Sequence, residues 1–451
     1  MTEMFRYLTG ILSKEEQRDW KILAVVDFIS PATDIINFSM LIYIINFVMR
    51  EQQEPKRIAV FTFFIGMISV LKGPFDLYKC KIYNRFVYNG SQRLSEKLCE
   101  LLLKEDLLHH NQKSPMQALS LVRNDTLNCM KIIVTIIDIW VHVCSMALYF
   151  GVMIYASKGV GIISCAAFVL LMGGMFFYYR DQIQLDGDKS RAYGIEANAQ
   201  VTIAYGNFKE MKIAGDFSNT LQKYCEAGEN YSQVQKQFQY KKSIISMIMK
   251  DFVMTAMFVI LACFLIRPGE GMNYFLASMV IYLTMLIKMI PVAFTIVSGL
   301  NDVKFAQKSY EVVKEGMTWY AEIKRVEKEE EKVRKKKLTL NKGLFVKDLT
   351  FSYNERKDIF RNSSIDIPTG CSVAVIGVSG IGKTTFLDLI LGLLTPQAGH
   401  IFFDDYDIVT HMDKTGICRA NIGDIVSYIP QTIYLNGETI CNNVCFLGKE
   451  K

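Results

Sequence analysis

The chain has 451 residues, 51% of them hydrophobic and 12% aromatic, against 21% charged, and carries a formal net charge of +6. That is too apolar for an ordinary soluble protein, and the length suggests two or three domains. The mild charge makes no case for a nucleic-acid partner, and five His with eleven scattered Cys make none for a metal site or a disulfide framework.

The opening stretch, "MTEMFRYLTGILSKEEQRDW", is too polar for a cleaved signal and lacks an apolar h-region. Phe5, Leu8, Ile11 and Leu12 recur at helical spacing, which predicts a short helix lying on the inner membrane surface over residues 1–20. Six apolar spans follow, at 21–49, 58–78, 131–156, 159–179, 246–266 and 272–300. Each is near or above the ~20 residues that cross a bilayer as a helix. The fourth, "GVGIISCAAFVLLMGGMFFYY", is free of charge. A single span of this kind could be a buried core helix; six in succession predict a transmembrane domain over 21–305.

The connections are unequal. Those after the first, third and fifth spans are a few residues long and carry Arg50, Lys56 and Arg57, then Lys158, then Arg267. Those after the second and fourth are long and basic, with Lys79, Lys81, Arg85 and Arg93 among the first set and Arg180, Lys189, Arg191, Lys241 and Lys242 among the second. Positive charge stays inside, so the long segments and both termini are expected in the cytosol. Their apolar spacing remains helical, as in "RLSEKLCELLLKEDLL", so the membrane helices are expected to continue far beyond the bilayer.

After residue 300 the composition shifts. The mixed-charge run "KRVEKEEEKVRKKK" (324–337) reads as part of a solvated helical linker over 306–343. From Leu344 the pattern becomes strand-like, in "LFVKDLTFSY", "SSIDI" and "CSVAVIG", and then helical in "KTTFLDLILGLL". Between the last two lies Gly377-Val-Ser-Gly-Ile-Gly-Lys-Thr384, which fits the Walker A pattern in the strand–loop–helix context that pattern needs. Gly377, Gly380 and Gly382 permit backbone angles that turn successive N–H groups inward as an anion nest, and the following helix N-terminus adds partial positive charge. Lys383 is expected to reach the β- and γ-phosphates of a nucleotide, and Thr384 to ligate Mg²⁺. Ser379 and Thr385 complete the predicted ATP-binding set within the loop.

Tyr353 in "LTFSY" precedes this loop, and Gln431 ends "YIPQ", with "LNGETICNNVCF" after it. With six membrane helices and long cytosolic extensions, these motifs resemble the ABC exporter half-transporters, which fuse a membrane domain to a nucleotide-binding domain. The resemblance implies that Tyr353 stacks on adenine. It also implies that Gln431 contacts Mg²⁺ and links nucleotide state to the membrane domain. "SPMQALSLVRNDTLN" (114–128) and "YGNFKEMKIAGDF" (205–217) are similar to the cytosolic turns that couple the two domains. The implied fold is an α-helical membrane domain joined to a partial P-loop α/β domain over 344–451. The implied assembly is a homodimer, or a heterodimer with another half-transporter, embedded in membrane lipids.

The family's signature loop, Walker B Asp, catalytic Glu and switch His all follow the Gln431 position, and none is present. "HIFFDD", with Asp404 and Asp405, comes too soon after Lys383 and falls where the family has a small β-hairpin, so it is rejected as Walker B. The chain therefore reads as cut within the nucleotide domain by a stop or a sequence edge, and these residues alone are expected to bind nucleotide without hydrolysing it.

Ionisable residues within the spans are Asp27, Asp34, Lys72, Asp76, Asp138, His142 and Lys288. Such residues default to functional candidates, with helix-to-helix pairing as the plain alternative. Lys72 with Asp76, and Asp138 with His142, share helix faces at i,i+4. Asp138, His142 and Lys288 are the candidates for a cavity that takes a polar head, and Pro291 is expected to kink the sixth span. The favoured reading is an exporter that moves an amphiphile outward at the expense of ATP. The stretch "GNFKEMKIAGD" is similar to one in lipid-linked oligosaccharide flippases, while lipid, peptide or drug export are rivals. The alternative is a hydrolysis-incompetent chain, inert or dependent on a complete partner. A membrane-anchored GTPase or kinase is disfavoured: no NKxD is present, and that reading leaves Tyr353 and Gln431 unexplained.

Overall fold

The structure is a computed structural model, and it describes residues 1–49, 55–265, 272–330, 340–353, 358–409, 422–431, 437 and 439–444. The outer loops expected after the first and fifth spans, the charged run beyond Glu330 and part of "LNGETICNNVCF" lie outside the described residues, as does the side chain of Asp34. The chain forms two compact units, one of residues 1–102 with 113–320, the other of 103–112 with 321–451.

The first unit is helical: α1 (Thr2–Gly10), α2 (Lys14–Met49), α3 (Pro55–Lys104), α5 (Pro115–Ser120), a π turn (Leu121–Asp125), α6 (Thr126–Gly206), α7 (Phe208–Ala214), α8 (Ser218–Leu265), α9 (Met272–Phe305) and the first part of α10 (Gln307–Glu330). The 50 residues of α3 would reach about 75 Å at 1.5 Å per residue, against ~30 Å of hydrocarbon. The 81 helical residues of α6 are not a rod. Phe150 and Phe168, roughly 27 Å apart along a straight helix, have ring centroids 6.3 Å apart, and Arg191 reaches back to Asp125 at 2.8 Å. The run therefore folds back near Lys158, giving the two spans expected there.

The same logic identifies two more antiparallel hairpins. Arg93 binds Glu16 and Arg85 binds Asp19, both at 2.5 Å, so α2 and α3 reverse between Met49 and Pro55. Lys242 binds Asp302 at 2.9 Å and Phe238 stacks on Phe305 at 4.1 Å, so α8 and α9 reverse between Leu265 and Met272. The ion pairs sit in the basic stretches that the positive-inside pattern puts in the cytosol, away from the reversals.

Between the arms, the core is apolar. Ile139, Met146, Tyr149, Met153, Cys165 and Phe168 of α6 bury against Met285, Met289, Val292, Ala293 and Ile296 of α9. The outward face is apolar too: Val60, Phe63, Phe64, Met67, Val70 and Leu71 of α3 are all exposed. A run of this kind belongs in lipid or against another helix. Among the described residues, three helices are long and apolar enough to cross a membrane, within Ile58–Lys104, Pro115–Ile154 and Gly161–Gly206, and the bent pair Ile287–Phe305 and Gln307–Arg325 makes a fourth if taken as one span. Pro291 lies inside α9, but the 51° bend falls at the α9–α10 junction.

The second unit holds a four-stranded antiparallel sheet in the order β2-β1-β3-β4, with β1 (Gly343–Phe351), β2 (Phe360–Pro368), β3 (Ala398–Phe403) and β4 (Tyr406–Asp407). Val346, Leu349 and Phe351 of β1 bury against Leu389 and Leu394, Ile401 and Phe403 of β3, and Ile408. Leu389 lies on α11 (Lys383–Ile390). Leu107 of α4 (Leu107–Gln112), a segment of this same unit, packs on that core. A last short helix, α12, covers Ile440–Val444.

β3 and β4 form a hairpin whose turn is Asp404-Asp405. The Asp404 carboxylate accepts hydrogen bonds from the amides of Asn341, Lys342 and Gly343 at 2.7–3.1 Å. It is thus spent on fixing the start of β1. Those amides hold its carboxyl below the usual carboxylate range, Asn341 contributing most.

One expectation is corrected. "CSVAVIG", read as the strand before the phosphate loop, is irregular backbone, with Val373, Val375 and Ile376 exposed. A strand exists only by pairing, and among the described residues no strand lies beside this segment.

Candidate functional site

The loop from Gly377 to Thr385 joins that irregular segment to α11. Gly380 and Gly382 stand at φ +83° and +109°, where side chains are strained. A Cβ on Gly382 would also lie 2.5 Å from Cγ2 of Ile359, so the loop packs too tightly there for any other residue. Lys383 curls back into the loop, and its Nζ donates to the carbonyl oxygens of Gly377 at 2.8 Å and Val378 at 2.9 Å. The ammonium therefore stands inside the ring of backbone, at the N-terminus of α11, where partial positive charge from free amides adds to it. Ser379 and Thr384 are exposed; Thr385 is buried.

Tyr353, which follows β1, packs its ring edge-on to Phe351 at 5.1 Å. Its hydroxyl pairs with that of Thr385 at 3.2 Å. The residue implied to hold a base is thus tied directly to the phosphate loop, a link that no spacing in the sequence signals. Gln431 lies in exposed irregular backbone, and among the described residues no hydrogen bond joins it to the loop. The residues present fit a nucleoside triphosphate: a lysine ammonium, a helix N-terminus and a glycine-permitted curl converge on one spot, with hydroxyls at Ser379 and Thr384 and an aromatic ring alongside.

In the membrane unit, Asp138 and His142 do not pair through side chains. His142 Nδ1 bonds the backbone carbonyl of Asp138 at 2.7 Å. The Asp138 carboxylate turns instead to Lys79, 3.7 Å away, which also binds Asp27. Asp27 and Lys79 were not among the cavity candidates; their shared helix-to-helix contact is invisible without the hairpin register. Lys288 is half-buried on α9 beside Met289 of the apolar core.

The two segments likened to coupling turns are short helices between long ones. α5 opens with a capping box in which Ser114 and Gln117 bond each other's backbone amides. α7 ends at Gly215, in the left-handed region at φ +67°.

Residues 360–446 match the model of the ABC transporter family. An iron-sulfur clusters transporter atm1, mitochondrial, of Neurospora crassa is 34% identical over 111 residues, 24% of this chain and 15% of that protein. An ATP-dependent lipid A-core flippase of Photobacterium profundum is 29% identical over 126 residues, 28% of this chain and 20% of that protein. The matched stretches thus span a fifth or less of these relatives' lengths. Among solved structures, a bacterial Atm1-family ABC exporter with ATP bound aligns with 87% of this chain and 69% of its own, at a TM-score of 0.62 and 17% identity. At that identity the likeness concerns the fold.

Proposed function

The chain has the architecture of an ABC exporter half-transporter, a helical membrane domain followed by an ABC-type nucleotide-binding domain, and from that premise we propose that it is the ATP-binding and permease subunit of an exporter. It works as a dimer, with itself or with a second half-transporter. It moves an amphiphile outward across the cell membrane, with the nucleotide domain and both termini in the cytosol. A lipid or lipid-linked glycan is the favoured cargo class, in line with the lipid A-core flippases among the similar proteins. Asp138, His142 and Lys288 are proposed to line the path of its polar head.

The observation that carries this reading is the Lys383 ammonium held inside a glycine-permitted loop at a helix N-terminus. In the proposed role Lys383 leaves the Gly377 and Val378 carbonyls for the β- and γ-phosphates, and backbone amides of 380–384 take the remaining oxygens. Thr384 and Gln431 would hold Mg²⁺, and Tyr353 would stack on adenine. Mg-ATP, when bound, would supply the phosphoryl-transfer chemistry; the residues named here would bind and orient it, and none of them is assigned the hydrolytic step.

Photolabelling with an azido-ATP analogue in membranes carrying the chain tests this. Lys383→Ala removes the single point charge aimed at the phosphates, and charge-assisted hydrogen bonds are worth about 1.5–3 kcal/mol each. Labelling should fall about ten- to hundredfold, the equivalent of ~1.4 kcal/mol per tenfold. Equal labelling of wild type and Lys383→Ala would remove the loop from nucleotide binding.

A further inference from the structure

Among the described residues outside the phosphate loop, one arrangement of charge in the membrane unit is not explained by helix pairing alone. Arg93 with Glu16, Lys241 with Asp186 and Arg191 with Asp125 are one cation to one carboxylate, and Asp19 has two cations, Arg85 and Arg18. Lys79 is different. Its ammonium is shared between Asp27 of α2 and Asp138 of α6, two carboxylates on two helices. Asp27 is 3% exposed. Its Oδ1 takes the lysine, and its Oδ2 is buried with no hydrogen-bond donor among the described residues. The two acid groups also stand close enough to act directly on each other.

A carboxylate offers acceptors only. A buried acceptor without a donor costs about 1–3 kcal/mol, and a second negative charge beside it costs more. One added proton removes both costs, because a carboxyl donates where a carboxylate cannot. The groups facing the cluster do not supply that proton from elsewhere. On α3, Asp76 adds negative charge near Lys79, and Tyr83 and Cys80 lie alongside. On α6, His142 spends Nδ1 on the Asp138 carbonyl. α9 packs on both α2 and α6; its Asp302 is bound by Lys242 and its Lys304 by Gln184 and Gln307, while Lys288 stands further along it.

We propose that Asp27 and Asp138 form a proton-binding site in the membrane unit, in which one exchangeable proton is held between two carboxyl groups that Lys79 alone does not neutralise. Asp138, with 30% of its side chain exposed, is the end that exchanges with solvent; Asp27 is the buried end. The proposal does not depend on the cargo or on nucleotide binding at Lys383.

Dicyclohexylcarbodiimide reacts with protonated carboxyls in apolar surroundings, and its adducts are mapped by mass spectrometry on the full chain in membranes. Adducts on Asp27 or Asp138 should exceed those on Asp19 and Asp302, which have cations of their own, by tenfold or more, and should decline as the pH is raised. Asp138→Asn leaves Asp27 one-to-one with Lys79, so Asp27 should lose its adduct although its own side chain is intact. Lys79→Met should raise labelling. Excess Na⁺ at fixed pH should change nothing. Labelling no greater than at Asp19, labelling independent of pH, an Asp27 adduct that survives Asp138→Asn, or suppression by Na⁺ would each overturn the proposal. If Asp138→Asn fails to reach the membrane, the wild-type pH series and the Na⁺ arm still decide it.

Discussion

Replacing Asp125 by Asn should open the membrane unit locally at the base of the α6 hairpin. Asp125 is 1% exposed and accepts Arg191 Nε at 3.1 Å, Arg191 Nη2 at 2.8 Å and the Ser309 hydroxyl at 2.7 Å. It therefore joins the start of α6, the returning arm of α6 and α10. Asn keeps the shape and one acceptor but removes the charge, leaving the Arg191 guanidinium, one-fifth exposed, without a counter-ion. Breaking a buried pair from one side costs about 3–5 kcal/mol. Because Arg191 keeps some access to water, we take ~3 kcal/mol, roughly a hundredfold in the opening equilibrium. Cys129, one turn further on, is the reporter: it is fully buried, its Sγ points at the Ser309 carbonyl, and burial pushes its thiol well above the ordinary range. A maleimide in detergent, read at Cys129 by mass spectrometry, should modify Asp125→Asn about a hundredfold faster than wild type. The double variant Asp125→Leu/Arg191→Met should return most of the way, since an apolar pair of similar volume replaces a buried ion pair at little cost. Equal rates in wild type and Asp125→Asn, or a double variant as fast as the single, would refute the reasoning.

Gly187→Ala should destabilise the unit by about 1–3 kcal/mol through overpacking, because its Cβ would fall 2.1 Å from the Phe305 carbonyl oxygen and 2.9 Å from its Cα. Gly173→Ala, where nothing lies within 4 Å, should leave the thermal midpoint in detergent unchanged or raised; equal losses for the two would contradict the close α6–α9 approach. Asp404 carries a pH signature. Its folded carboxyl is held low by the Asn341, Lys342 and Gly343 amides, so its contribution is present above the ordinary carboxylate pKa and is lost as pH falls through the lower folded value. Hydrogen-exchange protection at Gly343 should drop over that acid range in wild type and show no such step in Asp404→Asn; a step retained in the variant would assign it elsewhere.

Much of the fold was legible because its period and composition are strong. Charge-free stretches of twenty residues can hardly be other than membrane or core helices, and the runs at 344–353 and 363–367 alternate as half-buried strands do, which is what β1 and β2 are. The hairpin at Asp404-Asp405 stands where the family resemblance implied one. "CSVAVIG" misled for a definite reason: Val and Ile favour strands only against a neighbour, and none of the described strands pairs with them. The resemblance singled out 114–128 and 205–217 as coupling turns; it did not signal that residues 103–112 fall in the compact unit of the sheet, with Leu107 on its core. Leu107 looks like any other helical Leu, so no local signal marks it. At the phosphate loop the glycines and Lys383 stand out by type, but the Tyr353–Thr385 contact depends on how β1 and α11 pack. Asp27 and Lys79 were hidden similarly, since their pairing needs the α2–α3 register.

In the proposed exporter, the long ends of the three hairpins and the phosphate loop share the cytosolic side. Cys99 on α3 and Cys225 on α8 lie on those ends, and both are exposed. A membrane-impermeant maleimide on sealed cells should leave both unmodified until the membrane is permeabilised, while a Cys introduced at Gln52, between the first two spans, should react at once. Modification of Cys99 or Cys225 in sealed cells would contradict the six-span arrangement and the exporter reading built on it.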